Sequence, residues 1–170
     1  MPSFYTYFIS SLPMLRFGQF LPFSYASFLR KCAEFIPAED FNTLCRPVDS
    51  ASIELVKDIN CFEMMLANEL VKVRAVSRKV NPEKYLRFEE YSGQAIYHIA
   101  LAAHRNPSPL EAERYLDQER WNYLEEKSFG HYFDLEALII YAHKLLILER
   151  WERINSASSR SLLEEVIRQG

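Results

Sequence analysis

With 170 residues, 49% of them hydrophobic and 25% charged, the chain can build a core without a disulfide or metal staple. Its formal charge of −3, from 20 Lys plus Arg against 23 Asp plus Glu, offers no broad basic surface for displacing counterions from nucleic acid. With only 4 glycines a many-stranded fold lacks turns, and Cys32, Cys45 and Cys61 are too scattered for a zinc site, so reduced thiols in a cytosolic protein are expected.

The opening MPSFYTYFISSLPML lacks the positive start and small-residue cleavage site of a signal peptide. Its aromatic segment, Phe4 to Leu12, suits a strand as well as a helix, and Pro13 ends it. Leu15 to Phe23, with Gly18 and Pro22, reads as a loop. Ser24 is the N-cap of a helix to about Phe35 that buries Phe28, Leu29, Cys32 and Phe35 or Ile36. Pro37 starts a short helix with Glu39 and Asp40 in its first turn, and Pro47 closes it.

Asp49 or Ser50 opens what reads as the longest helix, to about Lys79. Leu55, Ile59, Phe62, Leu66, Leu70, Val73, Val76 and Val80 recur on it at near-heptad spacing. Asn81-Pro82 ends it, and a turn of helix from Pro82 to about Phe88 follows. Ser92 caps an alanine-rich helix, Gly93 to His104, apolar on most faces and so expected to be buried. Ser108, Pro109 and Glu111 form a capping-box start for a helix carrying Leu110, Tyr115, Leu116, Trp121 and Leu124, which ends near Gly130.

Phe133 to Ile154 then reads FDLEALIIYAHKLLILERWERI. Asp134 caps it, and apolar residues cover so much of its girth that it should be a central strut. Its apolar run is too short to span a bilayer, which takes about twenty such residues. Ser159 caps a final short helix with Leu162, Leu163, Val166 and Ile167. The expectation is an all-α, elongated helical bundle with a long heptad-like helix and a central C-terminal helix. It forms a single helical domain over 1–170, in which 1–48 is an aromatic subregion packing on the body.

No phosphate-binding glycine loop and no nucleophile elbow occurs. His98 and His104 lie on different faces of their helix, which disfavours a metal pair, and Lys72, Arg74, Arg78 and Lys79 read as a solvated helix end. Glu89-Glu90, Glu125-Glu126 and Glu164-Glu165 read as solvated faces. His131 and His143, near Asp134 and Glu136, permit a base-and-carboxylate reading that helix capping explains as well. Phe4, Tyr5, Tyr7 and Phe8 either pack on the strut or form a docking surface.

Two portions, FYTYFISSLPMLRFGQFLPFSYASFLRKC and FDLEALIIYAHKLLILERWERIN with the helix after it, resemble a family of bacterial proteins associated with V-type ATP synthases. The second also resembles the closing helices of the V-type ATPase subunit that caps the membrane ring and receives the central shaft. That pattern falls on Tyr141, Lys144, Glu149, Arg153 and Ile154. The chain is much shorter than the three lobes of that ring-capping subunit. The resemblance implies a non-catalytic coupling subunit with no cofactor or metal. Its partners would be other ATP synthase subunits, bound through Phe4, Tyr5, Tyr7, Arg150 and Arg153. It implies a cytoplasmic location at the inner face of the membrane, without direct insertion. A general helical adaptor and a small hydrolase using His131 or His143 are the alternatives.

Overall fold

The computed structural model describes residues 5–45, 53–87 and 93–169, with side-chain placement as far as Ala157. The described residues are all-α, with no strand among them. The helices are α1 (Thr6–Ser11), α2 (Tyr25–Phe35), α3 (Ala38–Cys45), α4 (Glu54–Arg78), α5 (Gln94–Arg105), α6 (Pro109–Lys127) and α7 (Leu135–Gln169), with a 3-10 turn over Pro82–Tyr85. No helix among the described residues is long and apolar enough to cross a membrane. The expected starts of α4 and α5 at Asp49 or Ser50 and at Ser92, and the acidic pair Glu89-Glu90, lie outside the described residues.

The chain divides into two compact units, Met1–Cys45 with Leu124–Gly170, and Arg46–Tyr123. In the first unit, α2 and α3 pack against α7, whose Leu138, Ile139, Ile140, Ala142, Leu145 and Leu148 are buried. The central position expected of this helix holds within its unit. Ser24 accepts from the Ser27 N–H and so starts α2, which buries Phe28 and Cys32. Ile36 is buried and Phe35 is turned outward, with its ring stacked on Phe8 of α1 at 5.1 Å. The ambiguous aromatic start is helix, because α1 can bury Phe8 on one face and leave Tyr7 on the other.

In the second unit, Phe62, Leu66, Leu70 and Val73 of α4 meet Ala100 and Ala103 of α5 and Leu116 of α6. The α4 seam stops there, since Val76 and Val80 are exposed. Lys79 adopts a left-handed φ of 55°, and the Val80 N–H reaches back to the Ala75 carbonyl, so the chain turns before Asn81-Pro82. Helix α5 is less buried than its composition suggests. Its alanines let α4 approach one face, while Tyr97 and His98 stay in solvent. On α6, buried Asp117 pairs with Arg120 at 2.9 Å, and Arg120 holds both carboxylate oxygens of Glu63 at 2.8 and 3.0 Å. Tyr123 stacks on Phe62 at 4.1 Å and donates to the Asp58 carbonyl.

The longest helix is α7, with 35 residues against 25 in α4, and no separate helix begins at Ser159. A serine caps only where the chain leaves helical dihedrals; inside a helix it costs well under about 1 kcal/mol relative to alanine. The helix therefore runs through Asn155 to Ser159 without a break.

Candidate functional site

Asp134 organises one corner of the first unit. Its Oδ1 accepts from the Ala137 N–H at 3.0 Å, capping α7, and its Oδ2 lies 2.7 Å from Nδ1 of His131. The loop after α1 is fastened to α7 by the Tyr141 hydroxyl, which donates to the Pro13 carbonyl at 3.0 Å. Between these fastenings lies an open groove of about 620 Å³. Ile9, Leu12 and Leu15 form one wall; Phe133, Ala137 and Ile140 form the other. Arg16, Glu125, His131 and Lys144 supply the groove's charged and imidazole groups, beside the phenols of Tyr132 and Tyr141. Lys144 donates to Glu125 at 2.7 Å, so Glu125 is not a freely solvated acid.

Burial raises the phenol of Tyr141 well above its ordinary value, which keeps the hydroxyl a donor. It pushes the Cys32 thiol up to about 12, and it lowers His143, which is neutral at pH 7. Of the two histidines, only His131 lies on the groove beside a carboxylate. The hydrolase reading requires such a pairing. Ser128, the nearby hydroxyl on the lining, donates to the Glu125 carbonyl at 2.6 Å. Ligand atoms of His131, Asp134 and Glu136 lie within 4.8 Å of one another. Asp134 already serves as the α7 cap there, and a cation would face the positive end of the α7 dipole.

The residues expected to bind partners differ in exposure. Phe4 lies outside the described residues. Tyr5 is buried, its hydroxyl donating to Asp40, so it is not on the docking surface expected of it. Tyr7 is 95% exposed, Arg150 is half-buried, and Arg153 is exposed near the middle of α7. His98 packs edge-on to Tyr97, and His104 is exposed.

A family model described as "Protein of unknown function (DUF2764)" matches residues 62–169, well over half of the chain. The chain belongs to the DUF2764 family. No curated protein and no solved structure is significantly similar to it. The DUF2764 match takes in one wall of the groove, with His131, Tyr141 and Lys144, and all of α7. The opposite wall, Ile9 to Arg16, lies before the matched residues. Sequence reasoning missed Arg16 because a lone arginine in a loop carries no periodic signal; its neighbours Phe17 and Gly18 mark only a turn.

Proposed function

We propose that this chain is a non-catalytic helical accessory or central-stalk subunit of a V-type ATP synthase. It would couple the soluble head to the membrane ring by binding both, at the inner face of the membrane. The reading starts from the resemblance carried by the Phe4–Cys32 and Phe133–Asn155 segments. The structural observation that supports it is α7. Thirty-five residues at about 1.5 Å rise make a rod of roughly 50 Å. Its first turns are rooted among buried Leu138, Leu145 and Leu148, whereas Glu152, Arg153, Asn155, Ser156 and Ala157 face solvent. An element that transmits load needs such an anchored root and a polar stretch free to dock. The test is co-purification: tagged chain expressed in its native cell should recover the ATP synthase head or ring subunits. Recovery of an intact, coupled complex lacking the chain would remove the proposal, and recovery with other partners would favour the general adaptor.

The His131–Asp134 pair on the groove gives the hydrolase reading one specific observation. Turnover of a model ester that is lost on His131→Ala, with the helix content unchanged, would establish it.

A further inference from the structure

The groove between the loop after α1 and the start of α7 presents a particular combination. Its walls are mostly carbon, and Met14 and Tyr132 on its lining are 79% and 61% exposed, apolar surface that nothing among the described residues covers. Two of its polar groups are already engaged. Lys144 is held by Glu125, and His131 is held by Asp134, both at 2.7 Å. Arg16 on the lining is exposed, and its guanidinium has no side-chain hydrogen bond or ion pair among the described residues. We propose that the groove binds a single-chain amphipathic carboxylate of the fatty-acid class, with its head group on Arg16 and its chain along Ile9, Leu12, Ala137 and Ile140.

Three features select this occupant. The volume, about 620 Å³, falls within the range of roughly 300 to 1,000 Å³ that takes a small molecule. The planar guanidinium fork meets both oxygens of a carboxylate at once, which a neutral or cationic head group cannot use. A peptide would bring backbone N–H and C=O groups against apolar walls that offer them few partners, whereas a hydrocarbon chain brings none. The inference does not depend on the chain being an ATP synthase subunit.

The test is fluorescence titration of the full chain with a dansyl-labelled undecanoic acid. It is followed by displacement with myristate, tetradecanol and tetradecyltrimethylammonium. We expect saturable binding of one probe per chain, with myristate displacing it at about tenfold lower concentration than the alcohol and the cation weakest. Arg16→Glu should erase the preference for myristate, and Arg16→Lys should keep part of it. Ala137→Phe, which fills the groove, should abolish binding while circular dichroism stays unchanged. Non-saturable binding, equal displacement by acid and alcohol, or binding indifferent to both Arg16→Glu and Ala137→Phe would overturn the proposal. So would a dimer that Ala137→Phe converts to monomer, since a second copy would then be the occupant.

Discussion

Asn68 grips the backbone of Arg87 from both sides: its carboxamide donates to the Arg87 carbonyl at 2.7 Å and accepts from the Arg87 N–H at 2.9 Å. The side chain sits on α4 and is 5% exposed, so it ties the chain beyond the 3-10 turn to the helix core of its unit. Asn68→Ala removes a donor and an acceptor together and leaves a partly buried peptide group unsatisfied. The expected loss is about 2–3 kcal/mol in urea unfolding. Asn68→Asp should also destabilise, because it keeps the acceptor and loses the donor.

Leu66 is fully buried in the cluster that joins α4, α5 and α6. Leu66→Ala should cost about 2–5 kcal/mol through lost contacts and a residual cavity. Leu66→Asp should unfold the unit, because the cluster offers a carboxylate no partner. Melting curves by circular dichroism decide it; a near-native midpoint for Leu66→Asp would contradict the packing.

Adjacent Glu125 and Glu126 look alike in the sequence, yet only Glu125 meets Lys144, whose side chain is 12% exposed. Glu126→Ala should leave stability unchanged, whereas Glu125→Ala should cost about 0.5–1 kcal/mol. Addition of salt should narrow the gap between the two variants.

Burial lowers the pKa of His143 below 6.5. Above about pH 7 the imidazole is neutral in both states and contributes no pH dependence. As pH falls through 6.5, the unfolded chain takes up a proton that the folded chain refuses, so stability drops, by at most about 1.4 kcal/mol per pH unit. Unfolding measured between about pH 7 and pH 5 should show this decline, and His143→Leu should flatten it.

These relationships mark how far the sequence reaches. Helix existence was legible because apolar spacing and caps act locally: Ser24, Ser108 and Asp134 each accept from the N–H group three residues on. The single rod of α7 was not, because Asn155 to Ser159 looks like a helix break unless the continuing chain is seen. Asn68 and Arg87 are 19 residues apart and belong to different elements, so no spacing rule links them. The groove is still less legible, since Tyr141 meets Pro13 across 128 residues. Tyr5 and Tyr7 show the same limit within one turn: equal in type, one is buried and the other bare.

If, as we propose, the anchored α7 rod docks on a V-type ATP synthase through its exposed polar stretch, a charge there should serve binding rather than folding. Arg153 is exposed on that stretch, so Arg153→Glu should leave the melting temperature within about 1–2 °C of the native chain. The deciding measurement is the amount of chain per complex, by quantitative mass spectrometry, when the ATP synthase is purified through a tagged head subunit. The native chain should be present at a fixed ratio to the other stalk subunits, and the Arg153→Glu chain should be depleted severalfold. Native chain absent from the coupled complex, or both chains recovered equally, would rule out docking through this stretch.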